Sequence, residues 1–136
     1  MKTAGFEEVA HTADVALRVW GRDLAELFAS AARGLAYLIA DLSGVTAARE
    51  EKISLQSFDA ETLLVAWLSE LLYLTERDGV VFTEFDIEKV TPTELVAVAR
   101  GGAPAGWRHE VKAVTFSDLR IVRTEDGYTT TLVFDV

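Results

Sequence analysis

Two stretches of this chain carry apolar residues at helical spacing, and most of what surrounds them alternates or is rich in β-branched and aromatic residues. The first stretch follows Asp23. Leu24, Leu27, Phe28, Ala31, Leu35, Leu38 and Ile39 fall on one face of a helical period. Asp23 stands three residues ahead of Glu26, a capping-box-like start in which the Asp oxygen accepts an orphan backbone N–H and the Glu reaches back. Asp41, Ser43 and Gly44 mark the end. The second stretch follows Asp59, another N-cap residue, and runs through Leu63, Leu64, Trp67, Leu68, Leu71 and Leu72 to Thr75. Each helix has one face built for a core, so each demands a partner layer.

The period-two segments supply that layer. From Asp14 to Trp20 the side chains alternate, with Val15, Leu17 and Val19 on one face and Ala16, Arg18 and Trp20 on the other, until Gly21 stops the strand. Residues 45–57 read as a modest strand, buried through Ile53 and Leu55, with Arg49, Glu50, Glu51 and Lys52 at a solvated turn or edge. After Asp78-Gly79 the chain turns β-rich over residues 80–90, 94–100, 109–116, 118–124 and 128–136. Thr91-Pro92, the Gly101–Gly106 loop, Ser117-Asp118 and Glu125-Asp126-Gly127 separate these runs with turn chemistry. The order predicts an α+β fold: two amphipathic helices packed on a mainly antiparallel β-sheet, in a single domain spanning residues 1–136. The GGAPAG stretch reads as a hairpin-like loop, because the helix N-terminus that a phosphate cradle needs does not follow it.

Composition narrows the function classes. The chain has no cysteine, which removes disulfides, thiolate nucleophiles and thiolate metal sites and fits a reducing compartment. Neither a signal peptide nor an apolar run long enough to span a membrane is visible, so a cytoplasmic location is expected. The formal net charge is -9 and the 13 basic residues are scattered, which disfavours strong direct binding to nucleic acid. His11 and His109 are the two histidines, too few for a three-imidazole zinc site, and no serine sits in a nucleophile-elbow context. An independent hydrolase is therefore disfavoured.

Three charged residues stand out. Asp14 enters an otherwise apolar strand, and on residues alone the leading reading is an Asx-type turn that caps nearby backbone N–H groups. Asp135 follows Leu132-Val133-Phe134 at the end of a buried-looking run, and reads equally as a solvated chain end. If the two acids meet at one sheet edge, their charges repel unless protonated, screened or bridged by a cation. With the oxygens of Val136 and water they would make a hard donor set suited to Ca²⁺ or Mg²⁺. Lys112, in RHEVKAVTF, shares a strand face with Glu110 and Val114 and reads either as an ion-paired surface lysine or as a residue aimed at a partner. Trp20 and Trp107 read either as sheet-covering aromatics or as anchors for a partner.

The blocks FEEVAHTADVALRVWG, DLAELF, DAETLLVAWLSELLY, EVKAVTFS and the closing VFDV, taken in register from Phe6 to Val136, resemble the archease family. That resemblance implies a small protein cofactor of an RtcB-type RNA ligase in tRNA splicing and RNA repair, promoting ligase guanylylation and multiple turnover without being an enzyme itself. It implies a divalent cation, expected as Ca²⁺ with Mg²⁺ or Mn²⁺ as alternatives, held by Asp14, by Asp135 and by main-chain oxygen of Val136. His11 and Lys112 are implied as partner-facing or active-site-reaching residues. Phe116 stands where the family commonly has Tyr, and Ser117 where many members have His, so no catalytic role is carried to Ser117. Two other readings stay open: a chaperone-like modulator of a tRNA cytosine methyltransferase, and a stand-alone metal-dependent enzyme acting on RNA or nucleotide.

Overall fold

Both helices begin where the two aspartates predict. The structure, a computed structural model, describes every residue except 1–2, 11–13 and 118. Helix α1 (Leu24–Ile39) opens with the Asp23 side chain accepting from the Glu26 N–H at 2.8 Å. The reach-back differs from the expected box. Glu26 accepts from the backbone N–H of Arg22, one residue ahead of the cap, at 2.8 Å and also holds its guanidinium at 2.6 Å. Arg22 offers one carboxylate both a main-chain donor and a charge, and the charge-assisted pair prevails. Helix α2 (Ala60–Asp78) opens on Asp59, which accepts from the Thr62 N–H at 2.8 Å. It runs past Thr75 to Gly79, whose φ of 66° is the left-handed closing conformation that a Cβ disfavours.

Ten strands accompany the helices among the described residues: β1 (Gly5–Val9), β2 (Val15–Gly21), β3 (Ala40–Asp41), β4 (Arg49–Gln56), β5 (Val81–Val90), β6 (Glu94–Gly102), β7 (Gly106–Trp107), β8 (Ala113–Thr115), β9 (Val122–Thr124) and β10 (Gly127–Asp135). Every pairing is antiparallel. One sheet has the order β1-β2-β10-β8, with β9 also on β10, a second has the order β4-β6-β5, and β3 pairs with β7. The α+β class is as expected, but the β structure is divided where a single sheet was predicted.

Two local expectations are corrected and a third is narrowed to one of its alternatives. Arg49 to Lys52 lie in β4, an edge strand paired only with β6 among the described residues, as the edge reading expects. The GGAPAG stretch is not a hairpin: Gly101 and Gly102 end β6, and Gly106-Trp107 pair with β3, carrying the chain across to the end of α1. The expected strand 109–116 shrinks to Ala113–Thr115. Its first half does other work, because the Arg108 and His109 N–H groups donate to the carbonyls of Ile39 at 2.7 Å and Leu38 at 3.0 Å. Those carbonyls belong to the last turn of a helix and lack partners within it, so capping them displaces strand geometry.

The core lies where the helices meet the sheets. α1 packs on β1, β2 and β5, while α2 packs on β4, β5 and β8. Trp67 is 0% exposed at their junction; its Nε1–H donates to the Phe28 carbonyl at 3.0 Å, and the Phe85 ring stands edge-on at 6.0 Å. Glu61 accepts from the Ile121 N–H at 3.0 Å and so ties the loop after β8 to the start of α2.

Candidate functional site

The two acids singled out in the sequence come to one end of the larger sheet through strand register. Strand β10 pairs antiparallel with β2, and the last pair of their ladder is Val15 with Phe134. Asp14 and Asp135 are the next residues on the two adjacent strands. On the other side of β10, Asp135 pairs with Ala113 of β8, and the Lys112 N–H donates to the Asp135 carbonyl at 2.7 Å. Val136 follows, 38% exposed. Asp14, Asp135, Val136 and Lys112 are thus neighbours along three strands, while His11 lies outside the described residues.

What surrounds this end gives the acids their character. Leu17 and Phe134 are fully buried on the core face. Ala16 and Val133, a cross-strand pair, are buried as well, so this end of the sheet is dry on both faces. Asp14 is half-buried and Asp135 exposed at its margin, and two carboxylates brought together there repel each other unless a cation bridges them.

The donor set fits an oxygen-seeking ion. Two carboxylates and main-chain oxygen are hard ligands; Ca²⁺ takes about six to eight such oxygens, and Mg²⁺ keeps several waters. Among the described residues no three His, Cys, Asp or Glu side chains gather as a metal group, so main-chain and water oxygens would complete the shell. The Lys112 main-chain contact adds a local constraint, since it fixes the strand end that presents Asp135.

The carboxylates with displaced titration are structural. Glu26 is held down at about 2, chiefly by its hydrogen bonds from Arg22. Asp59 is lowered by the Thr62 hydrogen bonds, and Asp78 by the Arg77 hydrogen bond with Arg49 adding to it. Asp41 is lowered by the Ser43 hydroxyl and N–H. None of these lies at the Asp14–Asp135 end.

The tryptophans divide three ways. Trp67 is core, Trp20 covers the glycine of β1 with its ring, and Trp107 is 55% exposed. Reading the sequence by alternation missed the segment around Trp107, where the polar run Arg108-His109-Glu110 was the available sign that a regular strand does not continue. Among the described residues no helix is long and apolar enough to cross a membrane.

Comparison with known proteins follows the same boundaries. The Archease protein family (MTH1598/TM1083) matches residues 6–136. A protein archease of Methanosarcina acetivorans is 37% identical, covering 96% of this chain and 95% of its own length. One from Saccharolobus islandicus is 40% identical, covering 96% of this chain and 98% of its own. The solution structure of Methanobacterium thermoautotrophicum protein 1598 superposes with a TM-score of 0.80 at 32% identity, over 97% of this chain and 99% of that one. The crystal structure of a Thermotoga maritima archease, described as a possible chaperone, shares the fold with a TM-score of 0.70 at 22% identity, over 96% of each chain. With sequence likeness spanning nearly the whole chain and the fold shared throughout, this chain belongs to the archease family.

Proposed function

We propose that this chain is an accessory protein, not itself an enzyme, that activates an RtcB-type RNA ligase in the cytoplasm, promoting ligase guanylylation and multiple turnover in tRNA splicing and RNA repair. Asp14 and Asp135, with main-chain oxygen of Val136, hold a divalent cation at the docking end. Calcium suits an all-oxygen set of adaptable geometry, and Mg²⁺ and Mn²⁺ are the alternatives. Lys112, on the neighbouring strand end, and His11, three residues ahead of Asp14, are the residues closest in the chain to that end that could reach into a partner.

The observation that carries this reading is the register that brings Asp14 and Asp135 to adjacent positions on neighbouring strands, one residue beyond the Val15–Phe134 pair. The ligase enters through what the resemblance of the sequence blocks implies, and the acidic balance of the chain suits a helper that meets a protein rather than an RNA backbone. The test is ligase turnover with GTP and Mn²⁺ in the presence of Asp14→Ala or Asp135→Ala, each checked for folding by circular dichroism. Stimulation should fall at least about tenfold, the scale of losing one charged ligand; full stimulation by folded variants overturns the reading.

A chaperone-like role toward a tRNA cytosine methyltransferase is the second reading. Half-exposed or more exposed aromatic side chains at Phe58, Trp107 and Phe116 support it, because such residues anchor protein partners. It requires that suppression of methyltransferase aggregation survive loss of both Asp14 and Asp135.

A further inference from the structure

A concavity lies away from the acid pair, between the C-terminal end of α2 and the segment that caps α1. It is a groove of about 370 Å³ with an apolar floor of Ile39, Leu72 and Val111, each buried. Its rim holds Trp107 and two exposed carboxylates, Glu76 and Glu110, neither of which is ion-paired among the described residues. The wall is fixed in advance. Trp107 pairs with Ala40 of β3, and the next two N–H groups are bonded to the end of α1.

Three features of this groove favour a cation carried on an aliphatic stem. The two carboxylates supply full negative charge, and the last turn of α2, whose Thr75 and Gly79 line the groove, adds the negative end of a helix dipole. An exposed indole face attracts ammonium or guanidinium groups. The apolar floor receives the methylenes beneath such a group. The one arginine of the wall does not cancel this: the Arg108 guanidinium lies over the Tyr37 ring, 4.4 Å from its centroid.

We infer that this groove captures a lysine- or arginine-bearing segment of a partner protein, laying apolar side chains on Ile39, Leu72 and Val111 and setting the cation among Trp107, Glu76 and Glu110. The capping segment continues from the groove to Lys112, whose N–H holds Asp135, so a chain bound here is led toward the acid pair. The inference rests on the activator reading for which protein is bound, and on the groove alone for the chemistry that is recognised.

The probe is a short peptide of alternating leucine and lysine, titrated into the ¹⁵N-labelled chain and followed by NMR, with a leucine–glutamate peptide as its counterpart. The chain has three tryptophans, and the Trp107→Phe variant identifies the indole signal of the groove. Saturable shifts at that indole and at the amides of residues 76 and 107–111 are expected with the basic peptide alone. Glu76→Gln/Glu110→Gln should bind about tenfold more weakly. Glu84→Gln/Glu88→Gln, which removes the same charge from exposed positions of β5, should leave binding unchanged. Equal weakening by both double variants, shifts spread over the whole acidic surface, or equal response to both peptides overturns the proposal. No ligase is present, so this result stands apart from any loss or retention of ligase stimulation.

Discussion

At the scale of single residues, two buried groups in the helices make opposite predictions. Trp67 is legible in the sequence as a core residue, but its hydrogen bond to the Phe28 carbonyl is not, because a period says which face is buried and nothing about what an indole N–H meets there. Trp67→Phe keeps an aromatic ring while removing that bond and part of the edge contact with Phe85; it should cost about 2 kcal/mol by urea denaturation. Ser30 is the converse. Its hydroxyl is buried in α1 and has no partner among the described residues. Ser30→Ala should be neutral or stabilising by up to about 1 kcal/mol in the same measurement, since an unsatisfied buried hydroxyl is removed.

At the scale of elements, the helix boundaries were the most legible feature, and the strand boundaries the least. Asp23 and Asp59 act through their own side chains on N–H groups three residues away, so the signal and its effect lie within one turn of chain. Asp59→Ala should therefore destabilise by about 1 kcal/mol. A strand depends on partners remote in sequence. The alternation of Gly5–Val9 is too weak to mark a strand by itself, and pairing with β2 makes it one. Arg108 and His109, at the start of a run whose pattern predicts a strand, form a cap instead because the carbonyls of Ile39 and Leu38 take their N–H groups. Acid stability belongs to this scale too. Glu26, Asp41, Asp59 and Asp78 all titrate below the ordinary carboxylate range in the folded chain through hydrogen bonds at element ends. A lowered folded value means that their contribution is present above the unfolded carboxylate range and is lost as pH falls toward about 2, where Glu26 is protonated. The thermal midpoint should decline over that window; a midpoint independent of pH there contradicts these assignments.

At the scale of the whole molecule, the sequence marked Asp14 and Asp135 as unusual but gave no means of joining residues so far apart. What joins them is the pairing of β2 with β10, fixed by burying Leu17, Val19, Leu132 and Phe134 in one core, and a shift of one residue would take that set off the core face. The candidate site is thus a by-product of core register, and the groove beside Trp107 has the same origin in the capping of α1. Neither could be read from local pattern, because each is made by elements distant in the chain. The central claim is that Asp14 and Asp135 act as one oxygen site, and calorimetric titration of Ca²⁺ into the wild type, Asp14→Asn, Asp135→Asn and the double variant tests it most directly. Either single change should remove nearly all of the affinity lost in the double variant, a strongly non-additive result. Additive losses, or binding that survives in the double variant, would contradict a shared site.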